Sequence, residues 1–276
     1  MFRIAVTATP SPAPGAPILL RGDIAEAFRQ AAELGCQGVE LHLRRADDVD
    51  VQVVKRLAAD YALGIPTLGT GMAALQDGLT FSDPDAAVRA RAVERVRGHV
   101  ELAAEVGSAV TIGSVSGRLG RGEEAQRRAR RARALECLAE VCRLAEPRGV
   151  TVLLEPLNRY ECDYVNTLAE GMRVAAEVGA PNLRLLADTF HMNIEEVDLG
   201  ASLRAAASRL GHVHLADSNR QAPGYGHLDF AAILDTLVGI GYQGYLAMEV
   251  FPTPDARRAI QDGVAAIHAA LESRAK

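Results

Sequence analysis

Short apolar stretches alternate along the chain with longer amphipathic stretches. Residues 2–9 alternate Phe2, Ile4 and Val6 with smaller or polar side chains, which is the period of a strand. Residues 23–34 carry apolar side chains at helical spacing and are followed by Gly35, a typical helix end. The same reading predicts strands at residues 2–9, 38–43, 65–71, 109–113, 150–155, 183–188, 212–216 and 245–250.

Amphipathic helices are predicted between these strands, and several have recognisable ends. Ser82, Asp83 and Pro84 are typical of a helix start, and Thr167 with Glu170 forms a capping-box pattern. The predicted helices cover residues 23–34, 51–63, 82–106, 123–145, 167–179, 230–237 and 253–271.

Eight strands that are each followed by a helix imply a parallel sheet, because every crossover returns the chain to the same end. Eight such units in 276 residues predict the α/β class and a single (β/α)₈ TIM barrel, with one domain spanning residues 1–276. A doubly wound open sheet is the alternative. It would need a G-x-G-x-x-G turn after an early strand, and the sequence has none there.

Composition and charge exclude several classes of protein. The chain is 49% hydrophobic and 24% charged, which is ordinary for a globular protein. Its net charge of -5 argues against nucleic acid as a partner. No apolar run reaches the roughly 18 residues of a membrane span, and the first residues lack the apolar segment of a signal peptide. The four cysteines show no C-x-x-C spacing, so we expect reduced thiols and a cytoplasmic protein.

Acids and histidines recur where the predicted strands end. Glu155 closes the apolar strand at residues 150–155, and Glu161 follows in a polar loop. In a barrel, the carboxyl ends of the strands carry the chemistry. The residues found there are Glu40, His42, Glu155, Glu161, Asp188, His191, His212, His214, Asp217, Arg220 and Glu249.

Four of these residues come from successive strands, the fifth to the eighth, and are expected to converge. They are Glu155, Asp188, His214 and Glu249. Three carboxylates and one imidazole suit Mn²⁺, Mg²⁺ or Co²⁺ better than a thiolate-bound structural zinc. His212 lies one layer deeper and is interpreted as a buried, hydrogen-bonded histidine. Asp217 is a candidate for orienting a neighbouring group.

Several segments resemble the ketose 3-epimerases, such as the D-tagatose and D-allulose 3-epimerases, within the xylose-isomerase-like barrel superfamily. The similar segments are LLEPLNRYECDYVNT, LADTFHMNIEE, HVHLADSNR with PGYGHLDF, and MEV. The resemblance implies metal ligands at Glu155, Asp188, His214 and Glu249, with Mn²⁺, Mg²⁺ or Co²⁺ as the ion. It implies contacts with substrate oxygens at Glu161, His191 and Arg220.

The first half of the chain is less similar to that family. The family's free-sugar enzymes usually carry aromatic residues, including tryptophan, around the far end of the ketose, and this chain has no Trp. In their place stand GTGMAALQDGLTF and TIGSVSGRLGRG, which resemble the loops of other sugar isomerase/epimerase relatives. The substrate therefore stays open, although a small-molecule ketose is expected.

The implied reaction inverts C3 of a ketose. Glu155 and Glu249 are expected to flank the sugar and to exchange the roles of base and acid, through a metal-stabilised enediolate. An aldose–ketose isomerase similar to hydroxypyruvate isomerase, or an epimerase of a phosphorylated or acidic ketose, would use a similar site. An apurinic-site endonuclease would need more histidine ligands and a basic face, and a sugar-binding barrel would not need two opposed carboxylates.

Seven arginines cluster around the helix after the fourth strand. They are Arg118, Arg121, Arg127, Arg128, Arg130, Arg131 and Arg133. Residues 127–133 are interpreted as a solvated helix face. Arg118 lies in a glycine-rich loop at the active-site end, so we predict that it binds a carboxylate or phosphate of the substrate. A homo-oligomer, either a dimer or a tetramer, is expected from the resemblance alone.

Overall fold

The computed structural model describes residues 2–273, which form a barrel of eight parallel strands. The barrel closes where the first strand pairs with the last, with Val6 opposite Met248. The prediction of a (β/α)₈ barrel is confirmed. The strands are β1 (Arg3–Thr9), β2 (Gly38–His42), β3 (Thr67–Gly69), β4 (Ala109–Ile112), β5 (Val152–Leu154), β6 (Leu183–Asp188), β7 (Leu210–Leu215) and β8 (Tyr245–Met248).

Helices surround the barrel and cover the outer face of the sheet. They are α1 (Ile24–Glu33), α2 (Val51–Asp60), α3 (Gly71–Asp77), α4 (Ala86–Val106), α5 (Glu124–Ala145), α6 (Leu168–Val178), α7 (Thr189–Glu195), α8 (Leu199–Ala206), α9 (Phe230–Gly239) and α10 (Ala256–Ser273). The predicted capping box is present at α6, where the Thr167 side chain accepts a hydrogen bond from the Glu170 backbone N–H. None of the helices within residues 2–273 is both long and apolar enough to cross a bilayer.

Several short elements were not predicted, including helix α8 between α7 and β7, and two helices begin later than expected. Leu20–Arg21 forms a two-residue strand on the edge of β1, and α3 and α7 follow β3 and β6 directly. Helix α4 begins at Ala86 because the Asp85 carboxylate accepts the N–H of Ala87, and α10 begins at Ala256. These ends depend on which nearby carboxylate reaches a free backbone N–H, and several acids compete for that role.

The hydrophobic core lies inside the barrel and between the strands and the helices. Phe28 of α1, Leu41 of β2 and Leu68 of β3 are fully buried. Each such side chain stabilises the fold by about 1.5–3 kcal/mol relative to an exposed position. Strand register then sets the height of the polar residues, because Thr7 pairs with Glu40 and Asp188 pairs with His214. The carboxyl ends of the strands therefore open at one mouth.

Candidate metal centre and active site

Four side chains meet at the mouth of the barrel. His214 Nδ1 lies 3.5 Å from Glu155 Oε1, 3.6 Å from Asp188 Oδ2 and 3.3 Å from Glu249 Oε2. One ligand atom from each of the four residues lies within 4.8 Å of the others, and all four residues are buried. Glu155 follows β5, Asp188 and His214 lie on β6 and β7, and Glu249 follows β8.

The donor atoms of this cluster fit a divalent cation. Glu155 Oε1 and His214 Nδ1 are buried, yet neither has a hydrogen-bond partner within residues 2–273. A buried polar atom without a partner costs about 1–3 kcal/mol, so such atoms call for an explanation. A cation between them would satisfy both atoms. Three carboxylates and one imidazole nitrogen match the ligand preference of oxygen-loving divalent ions.

Glu40 on β2 is hydrogen-bonded to three histidines beneath the cluster. Its carboxylate is fully buried and lies 2.9 Å from His42 Nε2, 2.9 Å from His212 Nε2 and 3.0 Å from His214 Nε2. A carboxylate can only accept, so His214 donates from Nε2 and keeps Nδ1 facing the cluster. His212 therefore acts as a buried, hydrogen-bonded histidine, in agreement with the interpretation from the sequence.

The charges of the site shift the pKa values of its members in different directions. Burial raises the pKa of Glu155, and the nearby charge of Glu249 raises it further. Burial alone would also raise the pKa of Glu249, but Arg220 and His214 hold it below its ordinary value. Burial opposes the charged form of His214, but Glu40 and Glu249 raise its pKa well above the ordinary value. The two carboxylates therefore differ, because the pKa of Glu155 is raised and that of Glu249 is lowered.

Arg220 reaches the same cluster from the loop after β7. Its Nη1 lies 2.5 Å from Asp188 Oδ2, and its Nη2 donates to Glu249 Oε2. The Arg220 backbone has a φ of 62°, a left-handed conformation that costs energy for a residue with a side chain. Its guanidinium also lies 4.9 Å from the centroid of the Phe190 ring. The position of Arg220 is thus held by charge, by ring contact and by its loop.

Asp217 organises that loop from within. Its carboxylate is fully buried and accepts the backbone N–H groups of Ser218, Gly224 and Leu228 at 2.7, 2.9 and 3.1 Å. Its carbonyl oxygen accepts the N–H of Arg220 at 2.9 Å. Asp217 therefore orients Arg220 through the backbone and, in the described part of the chain, makes no hydrogen bond to a candidate metal ligand.

His191, Asn158 and Glu161 form a polar chain beside the cluster. The backbone N–H of Asn158 donates to His191 Nδ1 at 3.3 Å, and Asn158 Nδ2 lies 2.8 Å from the same nitrogen. Because a backbone N–H can only donate, His191 Nδ1 is the acceptor and Nε2 carries the proton. Asn158 Nδ2 also donates to Glu161 Oε1 at 2.8 Å, and Glu161 itself is exposed. The Nε2–H group of His191 can thus donate a hydrogen bond to a ligand.

Two neighbouring pockets open above the cluster. The inner pocket, about 100 Å³, is lined by Glu155, Glu249, His191 and Arg220, among others. The outer pocket, about 330 Å³, is lined by Arg118. Leu75, Ser114 and Glu161 line both pockets, so the two cavities are adjacent. Gly113 makes room for the inner pocket, because a Cβ there would lie 2.6 Å from Glu155 Oε2.

The structure brings most of the candidate site residues together. The inner pocket or the cluster beneath it contains Glu155, Asp188, His214, Glu249, Glu161, His191 and Arg220. Arg118 lies apart from the cluster, in the outer pocket. The roles of Glu40 and Asn158 were missed. A Glu two residues before a His on a barrel strand was a usable signal for Glu40, whereas no local pattern marks Asn158.

The barrel and its metal-binding cluster define a class of protein, and a family model agrees. A model described as a xylose isomerase-like TIM barrel matches residues 28–270. The L-ribulose 3-epimerase of Mesorhizobium japonicum is 36% identical over 231 residues, which are 84% of this chain and 76% of that protein. The L-ribulose 3-epimerase of a Methylomonas species is 33% identical over 82% of this chain and 78% of that protein.

Solved structures extend the likeness to nearly the whole chain. A structure of L-ribulose 3-epimerase matches with a TM-score of 0.85 at 31% identity, covering 99% of this chain and 95% of that chain. The apo form of 3-keto-D-glucoside 4-epimerase from E. coli matches with a TM-score of 0.83 at 26% identity. The match covers 98% of this chain and 100% of that chain. The chain therefore belongs to the ketose 3-epimerase family of xylose isomerase-like barrels, which are enzymes of the isomerase class.

Proposed function

We propose that this enzyme inverts C3 of a ketose by removing a proton on one face of the sugar and returning a proton on the other. The observation that carries the proposal is the position of two carboxylates, Glu155 after β5 and Glu249 after β8, which both line the inner pocket. Two barrel strands separate β5 from β8, so these side chains approach a bound sugar from different sides. Each carboxylate is the base in one direction and the acid in the other.

The two carboxylates have unequal surroundings, which suits opposite roles. Glu249 Oε2 accepts from Arg220 Nη2, whereas Glu155 Oε1 has no hydrogen-bond partner among residues 2–273. Glu155 and Glu249 each hold or release the C3 proton at a carboxylate oxygen. Arg220 and the Nε2–H of His191 donate to oxygens of the ketose, and Glu161 accepts from a hydroxyl. These contacts place C3, rather than a neighbouring carbon, beside the two carboxylates.

The cofactor is proposed to be Mn²⁺, Mg²⁺ or Co²⁺, held by Glu155, Asp188, His214 and Glu249. When bound, a divalent ion supplies Lewis-acid stabilisation of the negative charge that develops on the substrate oxygens. Glu40 supports this site by fixing the Nε2–H tautomer of His214.

An aldose–ketose isomerase is the second candidate, because the same groups could move a proton between C1 and C2. A different carbon of the substrate would then exchange with solvent. The E. coli relative is named a 4-epimerase of a 3-keto-glucoside, so the carbon that is inverted differs among structural relatives of this chain. The decisive measurement is therefore which carbon of the substrate exchanges its hydrogen with solvent.

The experiment follows deuterium from D₂O into L-ribulose and D-psicose by NMR, with wild type, Glu155→Gln and Glu249→Gln at matched Mn²⁺ content. Wild type should label C3 and form the C3 epimer, and chelation should abolish both. Each variant lacks one base, so each should lose net inversion while exchanging the C3 proton of one epimer, and the two variants should prefer opposite epimers.

Glu195→Gln is the matched control, because Glu195 is a largely buried carboxylate that pairs with Arg159 outside the inner pocket. It should keep wild-type inversion. Near wild-type inversion by a metal-loaded Glu155→Gln or Glu249→Gln would remove that residue as acid/base. Deuterium at C1 in the wild-type reaction would show that the enzyme is an aldose–ketose isomerase and not a 3-epimerase.

Expectations about domain organisation, location, assembly and partners accompany the proposal. The chain is expected to work as one domain over residues 1–276, in the cytoplasm, and as a dimer or tetramer. Its partner is a small ketose, with neither nucleic acid nor membrane involved. The net charge of -5 argues against nucleic acid as a partner, and the L-ribulose 3-epimerase relatives support a small ketose.

A further inference from the structure

The outer pocket is a second cavity at the same barrel mouth, and no part of the C3 chemistry needs it. Its volume is about 330 Å³, compared with about 100 Å³ for the inner pocket. Its walls come from α3, the loop before α4, the loop after β4, helix α5 and the loop after β5. Leu75, Ser114 and Glu161 line both pockets, so the two cavities lie next to each other.

Two arginines of the outer pocket have no acidic partner. Arg118 donates only to the carbonyl oxygen of Tyr160, at 3.1 Å, and Arg130 makes no hydrogen bond or ion pair within the described residues 2–273. Their neighbours in the sequence are paired. Arg127 binds Asp163, Arg128 binds Glu124 and Arg131 binds Glu177. Arg121 and Arg133 also make no ion pair within residues 2–273, but only Arg118 and Arg130 of this arginine cluster line the outer pocket.

The backbone that carries Arg118 is held in place. The Ser82 hydroxyl donates to the carbonyl oxygen of Arg118 at 2.8 Å, and the N–H groups of Leu119 and Gly120 donate to Asp163 Oδ1 at 2.8 and 3.3 Å. Gly117 has a φ of 87°, and a Cβ there would lie 2.2 Å from Ser82 Oγ. This close approach requires glycine. Arg118 is therefore presented by an ordered loop, which lowers the entropy lost when it binds a ligand.

Two carboxylates also line the outer pocket, and both already accept hydrogen bonds from the protein. Asp83 Oδ1 accepts the N–H of Asp85 at 2.8 Å, and Glu161 Oε1 accepts from Asn158 Nδ2 at 2.8 Å. Each guanidinium has five N–H donors in a planar fork that matches a carboxylate or a phosphate. Most of the donors of Arg118 and Arg130 remain free for such a ligand.

We propose that the outer pocket is a subsite for the terminal anion, a phosphate or a carboxylate, of a ketose whose carbonyl end lies in the inner pocket. The subsite rests on the proposed function, because the ketose must be the group in the inner pocket. Arg118 and Arg130 bind the anion, and the shared residues Ser114 and Glu161 contact the carbon chain between the two ends. The preferred substrate is then larger and more negative than a free ketose.

The test uses four probes that differ only at C6: D-fructose, D-fructose 6-phosphate, D-fructuronate and the neutral disaccharide isomaltulose. For metal-loaded wild type, kcat/KM for deuterium exchange at C3 should be at least tenfold higher for one anionic probe than for D-fructose and isomaltulose. Tenfold corresponds to about 1.4 kcal/mol. Which anionic probe is favoured distinguishes phosphate from carboxylate. In the double variant Arg118→Gln/Arg130→Gln, this preference should fall at least tenfold.

Arg133→Gln is the matched control, since Arg133 lies on α5, makes no ion pair within residues 2–273 and does not line the pocket. It should keep the wild-type preference. Equal losses on D-fructose and on the anionic probes in the double variant would overturn the subsite. A wild type without preference, or one that favours isomaltulose, would overturn it as well.

Calorimetric titration of the same probes separates this proposal from the proposed function. If wild type binds D-fructose 6-phosphate or D-fructuronate more tightly than D-fructose, and the double variant does not, the subsite is supported even without turnover. Equal dissociation constants for wild type and the double variant overturn the subsite. Absence of exchange at C3 for every ketose in the wild type overturns the epimerase instead.

Discussion

Replacing Glu40 by glutamine should weaken metal binding, although Glu40 is not one of the proposed ligands. Its carboxylate accepts from His42, His212 and His214 at 2.9, 2.9 and 3.0 Å, at a position with no solvent exposure. A glutamine of the same shape keeps one oxygen and replaces the other with an NH₂ group. At least one of the three histidines then loses its acceptor.

The cost of this change has two parts that are measured separately. Losing one hydrogen bond to a buried carboxylate should lower the free energy of unfolding of the metal-free protein by about 1.5–3 kcal/mol. The second part concerns His214. If an NH₂ group faces its Nε2, that nitrogen must become the acceptor, and the proton moves to Nδ1, the atom that faces the cluster. Loss of such an orienting partner typically weakens metal binding about 10–100-fold, or about 1.4–2.8 kcal/mol.

Urea unfolding of the metal-free protein measures the first part, and calorimetric titration with Mn²⁺ measures the second. A consistency check is available, because an ion that binds only the native state stabilises it according to its dissociation constant. At saturating Mn²⁺, a variant with tenfold weaker binding should gain about 1.4 kcal/mol less stability than wild type. Glu195→Gln is again the matched control, since it removes a largely buried carboxylate outside the cluster.

Mn²⁺ binding by Glu40→Gln within twofold of wild type would refute the reasoning. In that case, Nδ1 of His214 would be held toward the cluster by its packing alone. A loss of stability without any change in Mn²⁺ affinity would lead to the same conclusion, because the hydrogen bonds would then be structural only.

Two further predictions concern other parts of the molecule. Hydrogen bonds from Arg44 and Arg95 lower the pKa of Asp77 from 3.8 to about 2, so the pair contributes stability above pH 4 that disappears as the pH falls toward 2. After allowance for the half-exposed Arg44, the Asp77→Asn variant should be about 1 kcal/mol less stable than wild type at pH 6. The urea midpoints of the two proteins should converge below pH 4. A stability difference that stays constant at all pH values would contradict this prediction. Gly113→Ala should weaken Mn²⁺ binding about tenfold, because the added Cβ would lie 2.6 Å from Glu155 Oε2. Gly98→Ala is the control, because the nearest contact of a Cβ at that position is 3.5 Å away. Equal Mn²⁺ affinities of Gly113→Ala and wild type would show that Glu155 can shift freely.

The ends of helices and the added short elements show where prediction from the sequence reached its limit. Thr167 and Glu170 predicted the start of α6 correctly because a capping box is local. The start of α4 was predicted a few residues too early, since Ser82, Asp83 and Asp85 offer competing caps, and Asp85 is the one whose carboxylate caps the helix. The choice among the three depends on the path of the loop between α3 and α4, which the local sequence pattern does not specify.

The amino-acid sequence alone determined the eightfold alternation of strands and helices, and it identified Glu155, Asp188, His214 and Glu249 as a convergent set. Both follow from periodicity, because a parallel barrel brings the carboxyl ends of all its strands to one mouth. Tertiary structure alone decided that Glu40 is shared by three histidines, that Asn158 joins His191 to Glu161, and that Arg118 and Arg130 line one pocket. Apart from the local Glu40–His42 and Asn158–Glu161 contacts, these contacts join residues on different strands, helices or loops. Their distances depend on strand register and helix packing, which no local pattern encodes.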